Sequence, residues 1–378
     1  MEKGIFVSSN NFIDDTASGG KKCAKRNFEL FREVLGRENT ILFIVSNDFS
    51  EDEEMIWEGS RTYKIAGCAN KKESIINYSK GYNVMTPRAE KIFMELAVNE
   101  KISYLFSDSS IFGRTIEKAK KAVVGIKTIC FMHNIEKWYG WNRVVHENPL
   151  YITYYHASYY NEKRAMKYAD RVISLTERDQ ESTFKLYGRK TDMILPITFK
   201  DVYNKNCNAT KKAGDSFLFV GSLFQPNVEG ITWLVEKVMP NCPYQIKIVG
   251  RGLETLRHKL ERDNVQVIGG VGDLAAYYEE AVGIILPIFY GDGMKVKTAE
   301  AMMYGKRIIA ADEALVGYDV QGQQDIYRCN TPQEFLNAME QVYAKRDVTF
   351  SENVRQLFLD KYENSSYLEP MRKLMEEI

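Results

Sequence analysis

Residues 283–311 read GIILPIFYGDGMKVKTAEAMMYGKRIIAA, and this stretch predicts the architecture of the part of the chain around it. An apolar strand, Gly283–Leu286, ends at Pro287, and a glycine-containing loop then opens a helix. The helix stops at Gly305, a typical residue just after a helix, and a second strand begins at Arg307. The order strand, helix, strand predicts a βαβ unit of a parallel sheet.

The loop that opens this helix has the composition of an anion site. Gly291, Asp292 and Gly293 come before the helix, whose free amide groups and positive dipole end favour an anion such as a diphosphate. Lys295 and Lys297 are expected to add positive charge. The stretch therefore predicts a diphosphate-binding site.

Glu300 lies in the first turns of the same helix, where its carboxylate can accept two hydrogen bonds from a ribose diol. The stretch from Gly291 to Gly305 resembles the donor-site signature GxGxRLKxLEAMAxGxPVVA of family 4 glycosyltransferases. Members of that family have the GT-B fold, with two Rossmann-like doubly wound domains facing each other across a cleft. The family often has an acidic residue before this glutamate, and Asp292 stands eight positions before it, either in that role or as a turn residue.

The resemblance implies a retaining hexosyltransferase that uses a nucleotide-sugar donor and needs no metal or other cofactor. It places the donor in the C-terminal domain and a glycan or lipid-linked acceptor in the N-terminal domain, as in polysaccharide biosynthesis. The residues assigned to catalysis are His133, Lys297 and Glu300. The residues assigned to the donor are Gly19, Gly20, Gly221, Ser222, Gly250, Arg251, Val271, Gly291, Asp292, Gly293, Met294, Lys295 and Val296.

Composition limits the functional class. The chain has 378 residues, enough for two domains, and its 51 Lys and Arg are balanced by 51 Asp and Glu, so no overall field favours nucleic acid. Its six cysteines include no CxxC pair, which argues against a zinc site and suits a reducing cytosol. No signal peptide and no apolar run of the roughly 20 residues that span a membrane are evident. We expect a cytoplasmic protein, at most peripheral to the inner face of the membrane.

Short apolar runs alternate with helical patterns along the chain, which predicts an α/β fold with parallel sheets. The polar stretch 204–214 has no periodicity and marks the edge of a linker. We predict an N-terminal domain at 1–200, a donor domain at 201–350 and a helical segment at 351–378 that crosses back to the first domain. The predicted strands are Gly4–Ser8, Thr40–Ser46, Ile102–Phe106, Lys127–Met132, Arg171–Leu175, Ser216–Val220, Gln245–Val249, Val265–Ile268, Gly283–Leu286 and Arg307–Ala310.

Residues 219–227, FVGSLFQPN, resemble a second family element, FVGxxxxxPN, which opens the donor domain. Many members carry an arginine and a lysine here that hold the donor phosphates. This chain has Ser222 near the arginine position and only Asn227 and Val228 where a lysine would stand. We therefore expect the phosphate charge to be met by Lys297, Lys295, Arg251 or loop amides.

Gly250-Arg251-Gly252 follows a predicted strand and almost matches the GxGxxG motif of dinucleotide-binding proteins, but Thr255 replaces the third glycine. The next strand ends in Gly269-Gly270 instead of the acidic residue that a ribose 2′-hydroxyl requires, which argues against an NAD enzyme. The loop 269–273, which contains Val271, resembles the family element whose backbone contacts the nucleobase.

Two elements of the first half resemble the rest of the site. Gly19 and Gly20 follow the first strand, where family members have a Gly-Gly loop that contacts the donor; a flexible surface turn is the alternative. His133 directly follows the strand Lys127–Met132 and begins an HNxE element, whose histidine faces the sugar in the family. A structural histidine is the alternative. Thr176, in the next such element, is predicted to cap a helix.

Aromatic residues are concentrated after His133, either as sugar-stacking rings or as a packing stripe: Trp138, Tyr139, Trp141, Tyr151, Tyr154, Tyr155, Tyr159 and Tyr160. A basic patch at 163–171 suits either an anionic membrane surface or a solvated helix. Two other functions stay open. One is a non-catalytic GT-B partner protein, favoured by the missing arginine and lysine, and the other is a GT-B sugar-nucleotide isomerase or phosphorylase-like enzyme.

Overall fold

A computed structural model describes residues 2–14, 18–203, 214–291 and 293–378 of the chain. The fold divides into two compact units. The N-terminal unit comprises the residues up to Pro196 together with Tyr367–Ile378, and the C-terminal unit comprises Ile197–Ser366. The segment predicted at 351–378 is therefore divided between the units. Its residues 351–366 belong to the C-terminal unit, and its residues 367–378 belong to the N-terminal unit.

The N-terminal unit is built on an eight-stranded sheet in the order β3-β4-β2-β1-β5-β6-β7-β8. All neighbours pair in parallel except the antiparallel hairpin of β3 and β4. Its strands are β1 Gly4–Ser8, β2 Thr40–Ser46, β3 Glu53–Trp57, β4 Ser60–Ala66, β5 Tyr104–Ser107, β6 Lys127–Met132, β7 Arg171–Ser174 and β8 Met193–Ile194.

The central strands of this sheet are apolar on both faces, so helices cover both faces and bury these strands along their whole length. Phe6 of β1 stacks on Phe106 of β5 with 5.0 Å between ring centroids, and Phe43 of β2 meets Phe93 at 5.3 Å. The helices are α1 Gly19–Leu35, α2 Lys71–Ser79, α3 Pro87–Asn99, α4 Gly113–Ala122, α5 Glu136–His146, α6 Ile152–Tyr168 and α7 Glu177–Tyr187.

The C-terminal unit has a six-stranded parallel sheet in the order β11-β10-β9-β12-β13-β14, which is the strand order of a Rossmann fold. Its strands are β9 Ser216–Val220, β10 Gln245–Val249, β11 Val265–Val267, β12 Ile284–Leu286, β13 Ile308–Ala310 and β14 Ile326–Arg328. Its helices are α8 Gln225–Trp233, α9 Arg257–Leu260, α10 Ala275–Glu280, α11 Val296–Met303, α12 Pro332–Ala344 and α13 Glu352–Lys361. A π-helical turn, Leu234–Val238, continues α8.

The last helix of the chain, α14 Leu368–Glu376, returns to the N-terminal unit and packs on α1. The sequence predicted one helical segment from Ser351 onward, but the structure has two helices. Tyr362 ends α13: its carbonyl accepts the Phe199 amide at 2.9 Å, and the Asn364 amide donates to the Phe199 carbonyl at 3.0 Å, so these groups do not continue the helix.

The prediction of an α/β fold with two Rossmann-like parallel-sheet domains is confirmed. Thr176 caps α7 by accepting the Asp179 amide at 3.0 Å, as predicted. None of the helices in the described ranges combines the length and the apolar content that crossing a membrane requires.

Candidate functional site

The strand order of the C-terminal unit locates its ligand edge. In open parallel sheets, ligands bind outside the carboxyl ends of the strands at the point where the strand order reverses. Here that point lies between β9 and β12, because β10 and β11 follow on one side and β13 on the other. Gly221 directly follows β9 and Pro287 directly follows β12, so the loops selected from the sequence emerge at this edge.

Two glycines let the loops after β9 and β10 approach closely. The Gly221 amide donates to the Val249 carbonyl at 3.0 Å. A Cβ atom on Gly250 would lie 1.5 Å from the Gly221 oxygen, so no other residue fits there. The Leu223 amide donates to the Arg251 carbonyl at 3.0 Å, which holds the two loops side by side.

The remaining predicted residues of this edge lie on the same loops. Ser222 and Arg251 are exposed, and Val271 is half-buried. A Cβ atom on Gly270 would lie 3.3 Å from Arg251 Cα, so the loop that carries Val271 runs beside Arg251. The structure thus brings these three residues to neighbouring loops at the carboxyl edge of the sheet.

The glycine loop before α11 has the backbone that only glycine adopts readily. Gly291 has φ of 128° and Gly293 has φ of 66°. The N-cap residue of α11, Lys295, gives no side-chain hydrogen bond to the helix start, and the first turn contains no acidic residue. The Thr298 amide donates to the Lys295 carbonyl at 2.9 Å, and the Val296 and Lys297 amides are the groups that this helix start offers to an anion. The predicted residue Asp292 lies outside the described residues.

Two predicted donor residues of this loop are held by protein groups. The Lys295 ammonium donates to the carbonyls of Gly291 at 3.3 Å and Gly293 at 2.9 Å. It also forms an ion pair with Glu313 at 2.9 Å. Met294 is buried, and its sulfur accepts the Ile197 amide at 3.3 Å. These contacts fix the shape of the loop, and Glu313 balances the positive charge that the sequence suggested for the ligand.

Lys297 is in a different environment. Its ammonium donates to Asn227 Oδ1 and lies 4.8 Å from the centre of the Phe219 ring. Within the described ranges no carboxylate forms an ion pair with it. Burial lowers the pKa of Lys297 to about 7, the nearby Glu300 opposes this shift, and Lys295 reinforces it. A half-buried ammonium at the start of α11 is thus ready to take an anionic partner.

Asn227 positions this lysine. Its amide nitrogen donates to the Ser222 carbonyl at 2.9 Å while its oxygen accepts from Lys297. In the sequence, Asn227 stood out only because it replaces a family lysine. The structure shows that it connects the loop after β9 to the helix α11.

Glu300 is held by a residue that no sequence motif had selected. The Tyr278 hydroxyl donates to Glu300 Oε2 at 3.3 Å. The Tyr278 ring is fully buried and stacks on Tyr304, with 4.7 Å between centroids and 3° between planes. Glu300 itself is half-buried.

In the N-terminal unit, polar groups meet at the carboxyl ends of three strands. His133 follows β6, and its Nε2 lies 3.2 Å from Asp108 Oδ2, an ion-pair distance without the alignment of a hydrogen bond. Asp108 is fully buried after β5. It accepts hydrogen bonds at 2.8 Å from the Ser8 hydroxyl and from the Asn27 amide. Asp108 is therefore fixed behind the histidine, although nothing in the local sequence had pointed to it.

The charges around His133 favour its protonated form. Burial alone would lower the pKa of His133, but the negative charges of Asp108 and Cys23 raise it well above its usual value. Burial by itself would raise the pKa of the Cys23 thiol. The positive charges of Arg26 and His133 outweigh burial, so the pKa of Cys23 is lowered. Arg26 Nη2 lies 3.2 Å from the Cys23 sulfur. Asp108, Cys23, Arg26 and His133 form one polar cluster.

Gly19 and Gly20 were predicted to form a loop, but they lie in a helix. Both lie in the first turn of α1, which Ser18 caps by accepting the Lys21 amide at 3.3 Å. Neither is among the glycines with positive φ, so the pair forms a helix start and not a loop. A Cβ atom on Gly20 would lie 3.5 Å from the Asn10 side chain, an ordinary contact distance. Residues 15–17, which precede them, lie outside the described residues.

Two buried glutamates meet at the start of α5. Glu162 accepts the amide of Glu136 at 2.6 Å and that of Lys137 at 3.3 Å, so it caps the helix. The Glu136 carboxyl accepts the Tyr154 hydroxyl at 3.3 Å. Burial, and then the charge of Glu162, raise the pKa of Glu136 to about 8.

This raised pKa predicts a pH-dependent stability. The folded protein holds the Glu136 proton more tightly than the unfolded chain does, so stability falls as pH rises from the unfolded pKa, near 4.5, to about 8. Glu136→Gln removes the titrating group and should stabilise the fold at pH 8–9 by roughly 1–4 kcal/mol, with little effect near pH 5. Denaturant unfolding at both pH values measures this. A Glu136→Gln protein that is equally destabilised at both pH values would contradict the raised pKa of Glu136.

Within the described ranges, no three His, Cys, Asp or Glu side chains are grouped so as to hold a metal ion. Metal independence of the reaction stays a prediction.

Comparisons with known proteins agree with this geometry. Residues 214–345 match the family described as "Glycosyl transferases group 1". No curated protein sequence matches the chain. Three solved structures resemble it over its whole length, at sequence identities that show the fold alone.

Sucrose-phosphate synthase from Thermosynechococcus elongatus has a TM-score of 0.74 and 15% identity, covering 100% of this chain and 99% of that chain. HepE of Anabaena, solved in complex with UDP-glucose, has a TM-score of 0.68 and 11% identity, with 100% of both chains covered. The lipopolysaccharide outer core galactosyltransferase WaaB has a TM-score of 0.64 and 14% identity, also with 100% of both chains covered. The family match over 214–345 and the two Rossmann-like units together support a glycosyl transfer function on a GT-B fold.

Proposed function

We propose that this protein is a retaining hexosyltransferase of family 4 type, which moves a sugar from a nucleotide-sugar donor to a glycan or lipid-linked glycan. The observation that carries the proposal is the start of α11. There a glycine loop, uncapped amide groups and the half-buried Lys297 ammonium converge. HepE, which has the same fold, was solved with UDP-glucose, and this supports a nucleotide-sugar donor for the C-terminal unit.

The chemistry follows from where charge develops. As the glycosidic bond to the donor breaks, negative charge grows on the departing diphosphate and positive charge on the sugar. We assign the diphosphate to the amides of the first turn of α11 and to Lys297. These groups are already in place, so they stabilise the leaving group without reorganisation. We assign the ribose to Glu300, which Tyr278 orients.

The N-terminal unit is assigned to the acceptor. His133 is the functional residue proposed there, because its Nε2 lies 3.2 Å from the buried Asp108 carboxylate at the carboxyl edge of the sheet, and this carboxylate raises the pKa of His133. A carboxylate this close to one ring nitrogen favours the imidazolium form before substrate binds. We give His133 a role toward the transferred sugar and none toward the nucleotide.

A panel of nucleotides tests the proposed donor. At 100 times its Kd, a nucleoside diphosphate should add about 2.7 kcal/mol to the stability of the protein. Thermal unfolding with UDP, GDP, ADP, CDP and TDP, each alone and as its sugar conjugate, should identify one base that raises the Tm. If none of them does so at millimolar concentration, the donor assignment fails. Slow release of nucleoside diphosphate from the selected sugar nucleotide would separate an enzyme from a non-catalytic partner protein.

Glu300 provides a second test of the donor site. Glu300→Ala should weaken binding of the selected nucleoside diphosphate by roughly 1–3 kcal/mol, because a charged acceptor of the ribose hydroxyls is lost. Tyr278→Phe keeps the Glu300 carboxylate and removes the hydroxyl that donates to it, so the loss of binding free energy should be smaller. Titration calorimetry measures both. An unchanged Kd in Glu300→Ala would remove this residue from the site.

A further inference from the structure

Helix α5 carries an apolar stripe on its solvent side. Trp138, Trp141 and Val145 are three and four residues apart, so they lie on one face of the helix. Their side chains are 46%, 47% and 57% exposed. Leu150 and Ile152 continue the apolar surface beyond the helix, at 70% and 37% exposed. Exposed apolar residues clustered in this way mark an interaction surface.

This stripe is not the packing face of α5. Gly140, on another side of the helix, approaches α6 closely, since a Cβ atom there would lie 3.2 Å from the Tyr155 Cα atom. The ring of Trp141 touches Tyr155 only edge-on, at 5.5 Å between centroids. Tyr155 stacks on Tyr159, and Tyr154 meets Tyr78 of α2 at 5.6 Å between ring centroids. About half of each side chain of the stripe stays exposed after α5 has packed on α6.

Lysines lie beside the stripe and on α6, whereas Arg143 is paired with Glu147 at 3.1 Å and Arg164 with Glu117 at 2.8 Å. The Lys137 ammonium lies 5.0 Å from the Trp138 ring, and the Lys163 ammonium lies 4.6 Å from the Tyr159 ring. Residues 137–168 contain five Lys or Arg and two Glu, of which Glu162 is fully buried. The whole chain has equal numbers of basic and acidic residues, so this excess is local.

The neighbouring helix α2, which packs on α6, has the same character. Ile75 and Ile76 are 42% and 44% exposed, and the exposed Lys71 and Lys72 precede them. A pair of exposed isoleucines with adjacent lysines repeats the combination seen on α5.

We propose that the α5 surface, defined as Trp138, Trp141, Val145, Leu150 and Ile152 with the lysines beside them, docks on an anionic lipid membrane. Tryptophan is favoured at the membrane interface, aliphatic side chains enter the acyl boundary, and lysine or arginine near the surface pairs with anionic headgroups. A carbohydrate would need polar groups between the rings, whereas the aliphatic residues here offer none. The proposal goes beyond glycosyl transfer and does not depend on it.

The unmodified protein gives the first test. Two of the four tryptophans of the chain, Trp138 and Trp141, lie on the α5 surface. Vesicles of phosphatidylcholine with about 30% phosphatidylglycerol should shift tryptophan emission to shorter wavelength, and brominated acyl chains should quench it. Phosphatidylcholine alone should bind at least about tenfold more weakly, and added salt should weaken the binding. No sedimentation with anionic vesicles and no quenching would overturn the proposal.

A matched pair of variants locates the surface. Trp138→Ser/Trp141→Ser should lower the vesicle-bound fraction about tenfold or more while the Tm stays near that of the unmodified protein. The control is Phe184→Ser, which removes an apolar side chain that is 58% exposed on α7, and it should bind vesicles normally. Equal binding by all three proteins would overturn the assignment to α5. So would a soluble oligosaccharide that shifts the tryptophan emission when anionic vesicles do not.

Discussion

Lys297→Met is expected to lower turnover by roughly 10²–10³-fold, the loss seen when one preorganised group that stabilises a developing negative charge is removed. The ammonium of Lys297 is the cation at the start of α11 that no carboxylate of the described residues balances. Its contact with the leaving diphosphate strengthens as the sugar departs, so the loss should appear in kcat more than in binding. Initial rates with the identified donor measure it.

The same variant should be more stable than the unmodified protein at pH 7. Burial lowers the pKa of Lys297 to about 7, below its value in the unfolded chain. Between about pH 7 and 10 the unfolded chain holds this proton more often than the folded protein, so folding becomes less favourable as pH falls. Methionine removes that cost, and the gain should be roughly 1–3 kcal/mol at pH 7 and smaller at pH 10.

Lys295→Met is the matched control, two residues away. Lys295 is bound by Glu313 and by the Gly291 and Gly293 carbonyls, so its loss should lower the Tm and reduce turnover less than Lys297→Met does. Equal, small effects of both changes on turnover would assign the leaving group to the loop amides or to Arg251.

The second large effect is expected at His133. His133→Ala should lower kcat by roughly 10²–10³-fold and leave the Kd for the nucleoside diphosphate nearly unchanged, because the residue acts on the sugar side. Asp108→Asn should move the alkaline limb of the kcat profile to lower pH. Without the negative charge of Asp108, burial of the ring dominates, and His133 loses its proton at a lower pH.

A control separates this role from a structural one. Asp170→Asn removes a carboxylate of the same unit that holds Lys120 and Thr128. It should lower the Tm without moving the pH profile. An Asp108→Asn protein that is less stable but keeps the original profile would make the Asp108–His133 pair structural.

The parts of the fold that the sequence predicted best are the strands buried on both faces. The strands β1, β2 and β9 have the predicted bounds, because a continuous apolar run specifies a buried parallel strand. The hairpin of β3 and β4 was missed. Its turn, Glu58-Gly59, has φ of 46° and 86°, and glutamate is an unusual residue for a turn that needs two positive φ values. The residues of β3 are mostly exposed, so they give no apolar run either.

In the candidate site, the sequence likewise predicted some residues and missed others. The glycine loop and Lys297 were predicted because the motif is local to one loop and one helix. Their partners were not, since Asn227 is 70 residues from Lys297 and Tyr278 is 22 residues from Glu300. Asp108 reaches His133 only because β5 and β6 are neighbours in the sheet. Such pairings are created by the tertiary fold, and no local spacing in the sequence encodes them.

The central claim is that the start of α11 holds the diphosphate of a nucleotide sugar. A crystal structure with the nucleoside diphosphate selected by the panel tests it most directly. We expect the β-phosphate within about 3 Å of the Val296 or Lys297 amide and of Lys297 Nζ, with the ribose hydroxyls on Glu300. A diphosphate held instead by Arg251 and the loop after β9, with Lys297 still bonded to Asn227, would contradict it.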